Sequence, residues 1–151
     1  MSFISQEEIA NAKLLVVGDA ILDCYWTGEV DRISPEAPVP VTNIFEEKFY
    51  PGGACNTAVN ITSVGAKATF ISCIGNDKYG IILKKLLEEK NLRYLTVNKK
   101  NIETTRKIRL VARNQQMFRI DFNRSVDRES NLHSLKSFND EIDNHDLVII
   151  S

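Results

Sequence analysis

Between residues 52 and 60 the chain reads Gly-Gly-Ala-Cys-Asn-Thr-Ala-Val-Asn, with further glycines at Gly65 and Gly75. Adjacent glycines admit backbone angles that a Cβ would forbid, and they let a ligand approach the main chain closely. A helix beginning near Ala54 aims its unpaired N–H groups at whatever occupies that approach. Asn56, Asn60 and Ser63 recur at i, i+4 and i+7 and share one helix face, with Ala54, Ala58 and Ile61 on another. Side-chain amides offer both donors and an acceptor, which suits the reading of sugar hydroxyls. The same residues equally describe a glycine turn with Asn56 as a capping residue on an ordinary surface helix.

Asp19, Asp23 and Asp77 stand at loop-like positions. Asp23 lies just past a short apolar run, where a carboxylate can act as a base, accept hydrogen bonds from ligand hydroxyls or cap a turn. Lys107, Arg109 and Arg113 alternate with Ile108, Leu110 and Ala112 and so project from one face of a predicted strand. Paired cations suit a phosphate, and the same pattern suits a solvated edge strand that resists aggregation. Cys24, Cys55 and Cys73 are odd in number, widely spaced and accompanied by only two histidines, so neither a disulfide framework nor a zinc site is indicated. They are expected to be reduced, small buried hydrophobes, Cys55 included although it sits inside the glycine segment.

The elements that must position these groups follow an α/β order. Leu14–Val17 is a buried-strand run ended by Gly18 and Asp19. Residues 24–50 read as extended segments broken by Pro35, Pro38 and Pro40, the pattern of a small β flap. After the glycine loop and its helix, residues 68–74 form another β-branched run. It leads through Gly75-Asn76-Asp77 to an amphipathic helix with Ile82, Leu83, Leu86 and Leu87 inward. Strand, helix, strand, helix implies a parallel sheet. From residue 104 the period becomes two, predicting two strands with a turn near Asn114. Phe118, Ile120 and Phe122 alternate with Met117, Arg119 and Asp121 in the second of them. Residues 123–134 read as loop, residues 135–144 as helix and residues 147–150 as a further core strand.

The chain has 151 residues, 43% hydrophobic and 26% charged, with net charge −1, which fits one core of ordinary size and no second domain. This balance gives no electrostatic footprint for nucleic acid or an anionic membrane surface. The first residues carry Glu7 and Glu8 and no long apolar run, so neither a secretory signal nor a membrane span is predicted, and a cytoplasmic location is expected.

The Gly52–Gly75 segment resembles the first signature of the ribokinase-like (PfkB) carbohydrate kinases. Residues 17–23, 25–26, 32–41, 113–116 and 119–122 are similar, within that family, to the heptose-7-phosphate kinases, whose kinase domain is often joined to an ADP-heptose synthase domain. The resemblance runs over nearly the whole chain. It implies a central, mostly parallel sheet flanked by helices, with a small β lid from residues 24–50 and 104–122. It further implies ATP-dependent phosphorylation of D-glycero-β-D-manno-heptose 7-phosphate at C1 on the route to ADP-heptose and lipopolysaccharide core.

Carried over residue by residue, the resemblance places Asp23, Gly52, Gly53 and Asn56 at the sugar. Lys107, Arg109 and Arg113 are the residues available for its phosphate. Tyr25 and Trp26 are either core residues or part of a homodimer contact through the lid. The family's ATP and Mg²⁺ are held by its second half, whose Gly-Ala-Gly-Asp-type motif does not occur in these 151 residues. No catalytic, cofactor or metal residue is therefore assigned here, and the chain is expected to be the amino-terminal half of the fold. A sheet cut there would expose an unpaired edge, predicting poor solubility or rescue by a complementing chain. Other readings are a different sugar kinase of the family and a non-catalytic sugar-phosphate-binding or dimerisation fragment. A dinucleotide-binding dehydrogenase would need Gly-x-Gly-x-x-Gly after the first strand, where Gly18-Asp19-Ala20-Ile21 stands.

Overall fold

The computed structural model describes residues 4–96, 102–123 and 128–151. Two four-stranded sheets share one hydrophobic core. The first contains β1 (Lys13–Val17), β4 (Lys67–Ser72), β5 (Arg93–Thr96) and β8 (Leu147–Ile150) in the order β5-β4-β1-β8, every pair parallel. Leu15, Val16, Phe70 and Ile71 are almost completely buried, as expected where helices cover a parallel sheet. The edge strand β8 leaves Ile150 82% exposed.

The second sheet is antiparallel and parallel by turns. β2 (Ala20–Ile33) pairs antiparallel with β3 (Pro40–Gly53), each strand 14 residues long. On its other side β2 runs parallel to β6 (Thr105–Ala112), which returns through a tight hairpin into β7 (Gln115–Phe122). The hairpin turn is Arg113-Asn114, both at positive φ (50° and 59°), the geometry whose twist matches the flanking strands. Pro35 and Pro38 lie in the β2–β3 connection. Pro40 and Pro51 lie in β3, an edge strand, where proline is tolerated.

Helices join the layers. α2 (Ala54–Ser63) buries Ala54, Cys55, Ala58 and Val59, and α3 (Lys78–Glu89) buries Leu83 and Leu87. Leu22, Cys24 and Ile108 of the second sheet belong to the same core cluster as these helical residues, with Trp26, Ile82 and Leu86 packed against it.

Four features depart from the sequence reading. α1 (Gln6–Asn11) and β5 are additional; α1 opens with a capping box, Ser5 Oγ accepting from the Glu8 N–H while the Glu8 carboxylate accepts from the Ser5 N–H. α4 (Arg128–Glu141) begins seven residues before the expected start at 135. Much of its described surface is solvated, so no apolar stripe marks its first turns. A 3₁₀ turn (Ile142–Asn144) follows it. The two flap strands reach inward to Ala20 and Gly53, beyond the expected 24–50. Phe118, Ile120 and Phe122 alternate as expected but are 46%, 38% and 38% exposed, because β7 is the outer edge of its sheet.

Asp77 ties the two layers. As the N-cap of α3 its carboxylate accepts from the Gly80 N–H at 2.7 Å, and from the Thr104 hydroxyl and N–H at 2.7 and 3.0 Å, just before β6 begins. Burial opposes its charge, yet these Thr104 and Gly80 donors hold the carboxyl below its ordinary value of 3.8. Asp77→Ala is expected to lower the urea midpoint by the equivalent of about 1–3 kcal/mol. With the folded-state value depressed, that contribution is fully present above the ordinary value and is lost as pH falls through the folded one. Urea melts of both chains at pH 7 and pH 3 measure this; equal midpoints at pH 7 would contradict it.

Candidate functional site

The site forms where β1 ends and the second sheet begins. The first β2 residue, Ala20, pairs with the last β3 residue, Gly53, so the hairpin returns to its starting point. Two bonds fix the junction: the Ala20 N–H donates to Ser72 Oγ at 2.9 Å, and the Ala54 N–H donates to the Asp19 carbonyl at 3.1 Å. Gly53 is the N-cap of α2 at φ 59°, ψ −139°, a region essentially reserved for glycine. A Cβ there would stand 2.8 Å from the Asp19 carbonyl oxygen. No side chain caps this helix, so the capping role considered for Asn56 is not the one it takes. Asn56 is exposed in the first turn of α2 and lines a cleft.

That cleft, ≈600 Å³, is also lined by Asp23 and Tyr25 of β2, by Tyr50 and Pro51 of β3 and by Val111 of β6. Tyr25 and Tyr50 meet edge to face with centroids 5.6 Å apart, giving it an aromatic wall. Gly52 is buried beneath Asp23: a Cβ on Gly52 would lie 2.6 Å from Asp23 Oδ2. Asp23 Oδ1 accepts from Arg109 Nη1 at 2.5 Å, the two side chains being 22% and 19% exposed. The Arg109 guanidinium also lies 5.3 Å from the centre of the Tyr25 ring. Asp23, Gly52, Gly53 and Asn56 are thus brought together, and Arg109 joins them.

Of the three cations expected on one strand face, Lys107 and Arg109 alternate in β6 with the buried Ile108 and Leu110, and Arg113 does not join them. Arg109 is committed to Asp23. Arg113 lies beyond the end of β6, in the hairpin turn, and donates to the Val30 carbonyl at 3.3 Å. Lys107 is in register with Asp23 on one side and Asp121 on the other. Tyr25 belongs to the cleft wall, whereas Trp26 packs against the core.

All three cysteines are buried and unpaired to one another. Burial pushes the Cys24 thiol up to about 11 and the Cys55 thiol up to about 12, so Cys55 serves the core side of α2 and not the cleft. Among the described residues no group of three or more His, Cys, Asp or Glu side chains could hold a metal ion. No described helix is long and apolar enough to cross a membrane.

A second concavity, ≈710 Å³, lies at the opposite, amino-terminal end of the first sheet, among Lys13, Lys67, Lys90, Arg93 and His145. A closed network fills its wall: Arg93 forks onto Glu141 with two 2.7 Å bonds, and the His145 ring spans the Glu141 carbonyl and Thr69 hydroxyl at 2.8 Å each. Lys90 is the C-cap of α3, where a cation complements the helix dipole. These contacts give that end a structural role. Ligands of open α/β sheets bind beyond the carboxyl ends of the strands, where the Asp23 cleft lies.

Known proteins share much of this sequence and fold. Residues 11–151 match the family described as pfkB family carbohydrate kinase. A Bordetella bronchiseptica protein named D-beta-D-heptose 7-phosphate kinase is 39% identical over 145 residues, covering 96% of this chain and 46% of that protein. A Nitrosococcus oceani protein named bifunctional protein HldE is 44% identical over 112 residues, covering 74% of this chain and 24% of that one. Among solved structures, ribokinase from Thermotoga maritima superposes with a TM-score of 0.57 at 27% identity over 74% of this chain and 36% of its own. Phosphofructokinase-2 from Escherichia coli does so with a TM-score of 0.65 at 20% identity, over 93% and 44%, which speaks for the fold. The chain spans less than half the length of these relatives.

Two outcomes are expected from this geometry. Gly53→Ala should cost about 1–3 kcal/mol in urea unfolding, since both its backbone angles and the Asp19 carbonyl oppose a Cβ; an unchanged midpoint would refute the strained junction. At pH 8 the native chain should react with less than one equivalent of a thiol reagent such as dithionitrobenzoate, and with three after denaturation.

Proposed function

The chain belongs to the pfkB family of carbohydrate kinases, and from that premise we propose that it forms the sugar-binding part of an ATP-dependent heptose-7-phosphate kinase. The observation that carries the substrate is the 39% identity over 96% of the chain to a relative named for that activity. The whole enzyme would transfer the γ-phosphoryl group of ATP to the C1 hydroxyl of D-glycero-β-D-manno-heptose 7-phosphate. Products would be ADP and heptose 1,7-bisphosphate, and the route leads to ADP-heptose and lipopolysaccharide core in the cytoplasm.

In this reading the sugar lies in the ≈600 Å³ cleft. Asp23 Oδ2 and the Asn56 amide exchange hydrogen bonds with its hydroxyls, and Gly52 and Gly53 allow the main chain and the amino end of α2 to come close. Lys107 meets the phosphate as a point charge, ahead of Arg109 and Arg113, whose guanidinium groups are engaged elsewhere. The second sheet acts as the lid that keeps water from the transferred group. Transfer itself needs Mg²⁺, donors for the γ-phosphoryl oxygens and a base for the C1 hydroxyl. The described residues do not fit a magnesium site, so no step through the metal is derived for this chain.

A second reading is a sugar-phosphate-binding or dimerisation module. Calorimetric titration with heptose 7-phosphate and, separately, with ATP and Mg²⁺ tests both. The proposal expects sugar phosphate binding that weakens about tenfold or more in Asp23→Asn. It also expects Lys107→Gln to weaken the phosphorylated sugar and leave the unphosphorylated heptose unchanged. Absence of sugar phosphate binding would contradict it, and self-association without binding would favour a dimerisation fragment.

A further inference from the structure

We propose that Arg109 is a positioning residue whose task is to hold Asp23 as a single-oxygen acceptor, and that it does not read the phosphate of the substrate. The inference rests on the sugar-binding reading of the cleft given above. Three observations converge on the Asp23 carboxylate. Arg109 Nη1 occupies Oδ1, reaching across from β6 through the parallel β2–β6 register. The missing side chain of Gly52 makes room for Oδ2, since a Cβ would stand 2.6 Å from it. The Tyr25 ring flanks the guanidinium and stands against Tyr50, which restricts where Arg109 can swing.

The consequence is chemical. A free carboxylate has two equivalent oxygens and about four lone-pair directions, and it can rotate to suit many hydroxyl patterns. With Oδ1 held, Asp23 offers one oxygen in one orientation beside Asn56. A pair of neighbouring sugar hydroxyls in the matching arrangement then meets a preorganised acceptor. The Arg109 charge is compensated by Asp23, which leaves Lys107, in register with Asp23 and without an ion-pair partner among the described residues, for the phosphate.

The test is a set of affinities, measured by calorimetry for heptose 7-phosphate and for unphosphorylated heptose. The variants are Arg109→Gln, Arg109→Lys, Gly52→Ala and Asp23→Asn, with the double variant Asp23→Asn/Arg109→Gln. Arg109→Gln should weaken both sugars by the same factor, about tenfold or more. Arg109→Lys should recover most of that loss, and Arg109→Gln should add nothing once Asp23 is already Asn. Gly52→Ala, which leaves Arg109 in place but displaces Oδ2, should weaken both sugars similarly, and it carries the test should Arg109→Gln not fold.

A loss confined to the phosphorylated sugar would assign Arg109 to the phosphate and overturn the inference. So would unchanged affinity in Arg109→Gln, or losses that add with Asp23→Asn. If the unsubstituted chain bound neither sugar, the proposed function would fail first and take this inference with it. That outcome is distinct from failure of the inference alone, in which the unsubstituted chain binds.

Discussion

The pairing of Ala20 with Gly53 is the constraint on which the cleft depends. It forces the chain leaving β1 and the chain entering α2 into contact. Whatever lies in the first residues of β2 must then face whatever lies at the start of α2. Asp23 and Asn56 become neighbours for this reason, although neither has a local preference for the other. The junction is secured from below by Ser72 at the end of β4 and by the Asp19 carbonyl, so the first sheet supplies the rigid floor. Glycine at 53 is the local condition for the turn, and glycine at 52 is the condition for the carboxylate above it.

A charged pair about one-fifth exposed is not a strong source of stability, because removing both ions from water offsets much of their attraction. The Asp23–Arg109 pair therefore makes better sense as a device for orientation. Arg109 is suited to this by its planar, always-charged fork, and a ring beside it limits its rotation. By contrast, the Arg93–Glu141–His145–Thr69 network at the other end of the first sheet closes on itself, joining α4 to β4 and β5. Similar residue types close into a network at one end and line an open cleft at the other.

Much of the site was legible because its determinants are local. The Gly52-Gly53 pair, the helix start at Ala54 and the exposure of Asn56 follow from backbone permissiveness and helical period. Asp23 was a candidate from its place after β1. The role of Arg109 was not legible, since its partner is 86 residues away and is chosen by the β2–β6 register, which no short-range pattern encodes. The cation face holds for Lys107 and Arg109 and loses Arg113, because the strand ends at Ala112 and the tight turn takes Arg113 away from it. α1 could have been found from Ser5 and Glu8, a capping box in plain view, whereas the early start of α4 had no apolar stripe to announce it.

The central claim is that sugar recognition resides in the cleft between the start of β2 and the start of α2. Heteronuclear NMR of the ¹⁵N-labelled chain, titrated with heptose 7-phosphate, tests it most directly. The account predicts saturable shifts concentrated at Asp23, Gly52, Gly53 and Asn56 and at the Arg109 side-chain Nε, with Arg93, Glu141 and His145 unmoved. Shifts centred on the Arg93–His145 concavity, or scattered without saturation, would contradict it.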